Sequence, residues 1–217
     1  MREIFPGIFS INKQLAVENP APGFKPFDEE LIKTDKKEFR VWNPYRSKAA
    51  AAIAKGIKEF PIAEGSKVLY LGSAHGYTPS FLSAIIGKNG IIYAIEFSER
   101  CFNEFLPLCK KYTNITPILA DARKPELYQW IEKVDVIYCD ISQPDETEIA
   151  IRNCKEFLKS GGYLLLAIKS RSIDITRTPK EVYQSEIKKL KDAGFDIIEW
   201  KALEPFEQAH AFVVAKI

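Results

Sequence analysis

Four apolar runs in this chain each end on a residue suited to hold a polar ligand. KVLYLG closes on Gly72 and passes through SAHG to Thr78-Pro79. Such a glycine turn lets backbone approach a ligand, and the helix start that follows presents free N–H groups. IIYAIE closes on Glu96, 24 residues after Gly72, where a carboxylate can accept from both hydroxyls of a ribose. Phe97 beside it offers a flat face to an adenine ring. The run ending ILADA supplies Asp121 for an exocyclic amine, and VDVIYCDISQP supplies Asp140 and Gln143. One such acid is ordinary at a solvated loop; four at successive run ends point to a nucleoside-containing cofactor. The turn G-x-x-x-G lacks the third glycine of a pyrophosphate cradle. A ligand with adenine, ribose and a short amino-acid tail therefore fits better than NAD, and S-adenosylmethionine is the cofactor expected.

Beside a methyl donor, four residues could assist transfer to a hydroxyl. Asp140 ends one run, Lys169 ends GYLLLAIK, Lys48 precedes the first run, and His210 opens the last, HAFVVAKI. Such transfer needs the nucleophile aligned behind the methyl–sulfonium bond and its proton removed as the new bond forms. A lysine serves this if neighbouring cations lower its pKa, or if its charge steers the hydroxyl oxygen.

The elements that must position these residues are read from the alternation of apolar runs with helical segments. Strands are expected at 67–72, 91–96, 115–119, 134–140, 163–169, in FDIIEWKAL and at 210–217, with helical segments between them. Continuous apolar strands joined by helices form a parallel sheet covered on both faces. The last two strands are joined by EPFEQA without a helix, so the final one should run antiparallel. The fold class expected is α/β, Rossmann-like, with a seven-stranded and mostly parallel sheet. In NPYRSKAAAAIAKGIKEF, Asn43 can cap a helix, Pro44 suits its first turn, and Ala50, Ile53, Ala54 and Ile57 share a face. Its alanine run is explained by helix propensity. Residues 1–40 differ in texture and read as a small β-rich appendage of hairpins packed against a main domain of residues 41–217.

Composition narrows the function further. The 217 residues carry 31 Lys+Arg against 29 Asp+Glu, a net charge of +2 that argues against coating nucleic acid by bulk charge. Local basic groups remain: Lys169, Arg171, Arg177 and Lys180 against Asp174 alone, and Lys36, Lys37, Arg40, Arg46 and Lys48. Both groups could contact phosphates. Cys101, Cys109, Cys139 and Cys154 form no C-x-x-C pair, and with His75 and His210 alone no zinc-finger spacing can be assembled. Free thiols, no signal-like N-terminus and no long apolar run together lead to the expectation of a cytoplasmic protein away from membranes.

The strings WNPYRSK, KVLYLGSAHGYTPS, IYAIEFS, VDVIYCDISQPDE, AIKSRSIDITRTPKEVY and EPFEQAH resemble the archaeal fibrillarins, with spacing kept over about residues 40–217. The resemblance implies a class I S-adenosylmethionine-dependent methyltransferase fold. It also implies 2′-O-methylation of ribose in rRNA, and in tRNA, directed by a box C/D guide RNA. Carried onto this chain, it places Lys48, Asp140, Lys169 and His210 around the target ribose. Cofactor contacts would come from Gly72, Tyr77, Thr78, Glu96, Phe97, Asp121, Ala122, Asp140, Ile141, Ser142 and Gln143. Tyr77 stands where the family usually has the first of two threonines, and Thr78 keeps the second. RNA contacts would fall on Arg46, Arg171, Arg177 and Lys180. The implied partners are a Nop-type scaffold protein, a kink-turn-binding protein, the guide RNA and the substrate RNA. Two other readings predict different behaviour: a methyltransferase of the same fold acting on a non-RNA substrate, and a catalytically silent assembly subunit.

Overall fold

The computed structural model describes residues 1–217. Its larger sheet is built from β6 (Lys67–Leu71), β7 (Ile91–Glu96), β8 (Ile115–Leu119), β9 (Val134–Cys139), β10 (Leu158–Lys169), β11 (Asp196–Ala202) and β12 (His210–Lys216). Their order is β11-β12-β10-β9-β6-β7-β8. The β6–β7, β6–β9, β7–β8 and β9–β10 pairs are parallel, and β12 runs antiparallel to both β10 and β11. This is the seven-stranded topology the sequence predicts. Strand order reverses at β6, whose neighbours β7 and β9 lie on opposite sides, so a crevice opens beyond its carboxyl end.

Helices α1 (Lys48–Ala54), α2 (Tyr77–Ile86), α3 (Glu99–Lys111), α4 (Glu146–Phe157) and α6 (Pro179–Asp192), with the single turn α5 (Ser170–Ile173), complete the main domain. Their ends follow local chemistry. The Ser98 side chain accepts from Cys101 N at the start of α3, and Thr178 with Glu181 forms a reciprocal capping box ahead of Pro179. Gly76 opens α2 in a left-handed conformation, φ 84°, with no side-chain cap, and a Cβ there would collide with the Phe105 ring.

Alternation along each strand sorts its side chains between two cores. Tyr70, Tyr138, Ala167 and Phe212 join the core beneath α1 and α2. Leu71, Cys139, Ile168 and Ala211 join the core on the opposite face, beneath α4 and α6. One step further along, Asp140, Lys169 and His210 therefore return to the α1 side.

The structure redraws several local expectations. Helix α1 is capped by Ser47, whose hydroxyl accepts from Ala50 N, so Asn43 is not its cap and Pro44 lies before its first turn. It ends at Ala54, leaving Ile57 beyond it. Ala49, Ala50, Ala51 and Ala52 are each fully buried, so close packing of the helix accounts for the run, where propensity alone was expected to suffice. The segment PELYQWIEK forms one short 3-10 turn at Pro125–Tyr128. Strand β10 begins at Leu158, five residues before the strand expected from Tyr163, because an irregularity between those two residues lets pairing with β9 resume.

The N-terminal segment is a five-stranded antiparallel sheet. It comprises β1 (Arg2–Phe5), β2 (Ile8–Ile11), β3 (Gln14–Glu18), β4 (Leu31–Lys33) and β5 (Glu38–Val41), in the order β1-β2-β3-β5-β4. Strand β5 passes through residue 40 and ends at Val41. Ile8, Val17 and Trp42 lie in the main core, with the Trp42 ring stacked on Phe81 at 5.2 Å. Arg40 is fully buried at the junction, paired with Glu29 and bonded to Ser80 O and Oγ of α2. It cannot reach a phosphate, which corrects its place in the basic group read from the sequence.

Candidate active site

A cavity of about 380 Å³ lies beyond the carboxyl ends of β6, β7 and β9, a size suited to a small ligand. Gly72 forms part of its wall at φ 84°. A Cβ at that position would sit 2.8 Å from Asp140 O and 3.0 Å from Ile141 Cγ2, so the turn after β6 and the end of β9 touch through a glycine that nothing larger can replace. Glu96 closes β7 with its carboxylate held from behind. Oε2 accepts from Ala74 N at 2.7 Å and Oε1 accepts from Ser98 N at 2.8 Å. Each oxygen keeps lone-pair capacity for a hydroxyl in the cavity. Phe97 presents an exposed ring at the rim, 66% accessible. Ala122, Ile141, Ser142 and Gln143 also line the space.

Asp121 lines the cavity, but Arg123 clasps its carboxylate, with Nε 3.0 Å from both oxygens and Nη2 2.7 Å from Oδ2. Hydrogen bonding from Arg123 holds the Asp121 carboxyl below the usual range, so it is an ionised acceptor.

Lysines from two other elements meet Asp140 at one edge of this cavity. Lys169 Nζ, from the end of β10, lies 2.8 Å from Asp140 Oδ1 and also donates to Asp140 O at 2.8 Å and Ser142 Oγ at 2.9 Å. Lys48 Nζ, from α1, approaches Asp140 Oδ1 at 3.2 Å and Oδ2 at 3.4 Å. Burial alone would raise the Asp140 pKa, but the two ammonium groups outweigh it and hold the carboxyl below its ordinary value. Burial likewise works against the Lys48 charge, yet Asp140 and Glu207 keep its pKa above the usual lysine value. Lys48 is thus a fixed ammonium, so of the two ways a lysine could serve, steering by charge is the one that fits it.

His210 pairs with Lys169 in the β10–β12 register. Its Nδ1 lies 2.7 Å from Gln208 O, so this nitrogen carries the proton and Nε2 is left as an acceptor. Burial, reinforced by Lys48 and Lys169, pushes its pKa below the ordinary histidine value, against an opposing effect of the Gln208 bond. The imidazole is therefore neutral at pH 7.

Other expected residues are placed elsewhere. The Tyr77 side chain turns toward the N-terminal segment, packing edge-on to Phe27 of the β3–β4 connection at 5.2 Å and accepting from Asn43 N just after β5. Thr78 is buried and its hydroxyl donates to Ser47 Oγ at 3.0 Å. Neither side chain lines the cavity; what remains for a ligand is the uncapped backbone at the start of α2. His75 faces α3, where Nε2 lies 3.1 Å from Glu104 Oε2. Arg46 donates to Phe27 O and lies over the Tyr77 ring, and Arg177 donates to Glu181 O and Ser185 Oγ, so both are committed within the chain. Arg171 and Lys180 are exposed. Lys169 is buried and belongs to the Asp140 cluster, not to the basic surface loop. Sequence reading missed Ala74, Ile95, Ala120, Arg123 and Ile149 as lining residues. Ile95 and Ala120 directly precede Glu96 and Asp121 at their strand ends, whereas Ala74 lies in the turn after β6, Ile149 lies on α4, and Arg123 carries no signal beyond its place two residues after an acid.

Comparison with known proteins adds a family. The fibrillarin family model matches residues 1–217. The fibrillarin-like rRNA/tRNA 2′-O-methyltransferase of Sulfurisphaera tokodaii is 51% identical over 204 residues, covering 94% of this chain and 88% of that protein. The crystal structure of Aeropyrum pernix fibrillarin with natively bound S-adenosyl-L-methionine is 44% identical, with a TM-score of 0.88 over 96% of this chain and 92% of that one. A fibrillarin/Nop5p complex contains a chain 37% identical, with a TM-score of 0.91 over 99% of both chains.

Proposed function

The chain belongs to the fibrillarin family, and from that premise we propose that Lys48, Asp140, Lys169 and His210 act together in methylating a ribose 2′-hydroxyl of RNA. It is an rRNA/tRNA ribose 2′-O-methyltransferase of the class I fold that uses S-adenosylmethionine and works with a Nop-type scaffold protein. The observation that carries the assignment of roles is the meeting of two lysines on Asp140 at the edge of a cavity whose other end offers Glu96 and Phe97.

The residues present fit the cofactor. Gly72 lets the turn after β6 close on the end of β9 as one wall of the cavity, Glu96 has capacity for two hydroxyls, Phe97 offers a ring face and Asp121 an ionised acceptor. Bound there, S-adenosylmethionine supplies an electrophilic methyl group. The chain's own part is positioning and proton handling. Asp140 holds both ammonium groups in place. Those two groups, with one carboxylate between them, favour the negative charge that grows on the 2′-oxygen. Neutral His210 accepts the hydroxyl proton at Nε2 while Nδ1–H stays on Gln208 O. Since the His210 pKa is lowered, the acid limb of the rate profile is expected below the ordinary histidine value, and His210→Gln should remove that limb along with most of the rate. A limb unchanged in the variant would dismiss His210 as the base.

We further propose that a guide RNA and a kink-turn-binding protein complete the particle. A net charge of +2 supports this, because a nearly balanced chain leaves most of the RNA affinity to the partners. The test is transfer of labelled methyl to a guide-paired RNA by the assembled particle, with the isolated chain and free small hydroxyl compounds as controls. Lys169→Ala is expected to bind S-adenosylmethionine almost normally in calorimetry while transfer falls about 10²-fold or more. Full activity without guide RNA would favour a non-RNA substrate, and absence of cofactor binding by the wild-type chain would favour a silent subunit.

A further inference from the structure

A second buried carboxyl lies beneath the Lys169 strand end. Glu146, the first residue of α4, is fully buried. Its Oε1 accepts the backbone N–H of Lys169 at 2.8 Å, which fixes the main chain that carries the lysine into the cluster. Its Oε2 is buried without a hydrogen-bond partner, and neither oxygen forms an ion pair. A carboxylate with one neutral donor and no cation in contact is costly to bury, and the protonated acid, though still short of a partner at one oxygen, is much less so.

The charged and titratable groups that bear on Glu146 come from four directions. Lys169 on β10 favours its ionised form through charge and through the backbone bond. Asp140, at the end of β9, and Glu186, on α6, oppose ionisation. Glu186 is itself met by Lys189 Nζ at 2.9 Å, so that lysine's charge is engaged there. Cys139 lies next to Asp140 with its thiol pKa pushed up by burial, so it stays uncharged, and Lys48 on α1 adds a more distant positive charge. Burial outweighs the help from Lys169 and lifts the Glu146 pKa to about 8.

We propose that Glu146 is a positioning residue that works as a neutral carboxylic acid, fixing the Lys169 main chain while leaving the Lys48–Asp140–Lys169 cluster at a net charge of +1. The inference rests on the methyl-transfer reading of that cluster. An ionised Glu146 would bring the buried group to electrical neutrality and draw Lys169 away from the oxygen that must lose its proton. Catalysis on this view needs an acceptor for the Lys169 N–H that brings no charge with it.

Glu146→Gln keeps an acceptor and is neutral at every pH, whereas Glu146→Ala keeps neither acceptor nor shape. In the assembled particle near pH 7, Glu146→Ala is expected to lose about tenfold in single-turnover rate and Glu146→Gln to recover most of it. The ratio of Glu146→Gln to wild-type rate should then rise about threefold or more between about pH 7 and about pH 9, as wild-type Glu146 ionises. Two measurements on the isolated chain do not depend on activity. A raised folded pKa means a stability contribution present below the ordinary carboxyl range and lost as pH rises through about 8. The melting temperature of Glu146→Gln should therefore gain on wild type from about pH 5 to about pH 8 and hold that gain above. The ¹³Cε resonance of Lys169, identified by its loss in Lys169→Arg, should move near pH 8 in wild type and stay still in Glu146→Gln. A rate ratio or melting difference that ignores pH, a Lys169 resonance that moves equally in both proteins, or a Gln variant as impaired as the Ala variant would overturn the proposal. A wild-type particle silent at every pH would instead count against the methyl-transfer reading, with the melting and resonance data still deciding the state of Glu146.

Discussion

Asp140→Ala is expected to abolish methyl transfer and to destabilise the chain by about 3–5 kcal/mol, because it removes the anion from between two largely buried ammonium groups. Lys48 and Lys169 retain only 16% and 11% of their side-chain accessibility, so water from the cavity replaces the lost carboxylate only in part. Chemical denaturation would read the stability loss, and calorimetry would show a weakened cofactor interaction, since Asp140 also lines the cavity. The sign of the pH dependence follows from the lowered Asp140 pKa. Its stabilising contribution is complete above the ordinary carboxylate range and fades as pH falls through the folded value, so wild type and variant should converge in strong acid. Removing one ammonium as well, in Asp140→Asn with Lys48→Met, should restore much of the stability and none of the activity. A double variant as unstable as Asp140→Ala would show that charge imbalance is not the cause.

The second large effect lies away from the site. Arg40→Ala is expected to cost about 3–5 kcal/mol by leaving Glu29 buried and unpaired at the junction of the two sheets. The guanidinium is wholly inaccessible and Glu29 retains 2%. Arg40 also donates to Ser80 O at 3.2 Å and Ser80 Oγ at 3.0 Å, and lies 4.2 Å from the centre of the Phe81 ring. Lysine lacks the planar fork for these contacts, so Arg40→Lys should rescue little. Scanning calorimetry should show one cooperative transition moved down as a unit. Separate melting of the N-terminal sheet would mean that Arg40 does not join the two parts. The cations of residues 36–48 thus differ in kind: Lys36 and Lys37 are exposed, Arg40 holds the fold, and Lys48 serves the cluster.

The sheet was legible in the sequence because its strands are continuous apolar runs and its last connection is too short for a helix. Strand ends were legible for the same reason, which is why Gly72, Glu96, Asp121, Asp140 and Lys169 could be placed at one edge before any coordinates. Side-chain direction in the turns was not. Tyr77 looked like a cofactor residue from its position, but Phe27, 50 residues earlier, decides where its ring goes. Arg40 looked like a surface cation because its partner Glu29 sits in another strand connection. Glu146 was hidden in the run PDETE, where an acid near a helix start is normally solvated; what buries it is the main chain of Lys169, 23 residues on. Asn43-Pro44 carried a helix-start signal that Ser47 took over, two residues before the alanines.

Helix α1 is buried on all sides along four consecutive alanines, those on its inner side lying against the sheet, and Lys48 stands at its first position. The distance from helix axis to sheet therefore acts as a ruler for the reach of Lys48 toward Asp140. A methyl side chain sets the shortest spacing an ordinary residue permits. A broader residue on the sheet-facing side of that run would lift the helix and withdraw the ammonium while leaving every group of the cluster chemically intact. The stretch of least varied composition in the chain is, in this respect, a dimension of the active site.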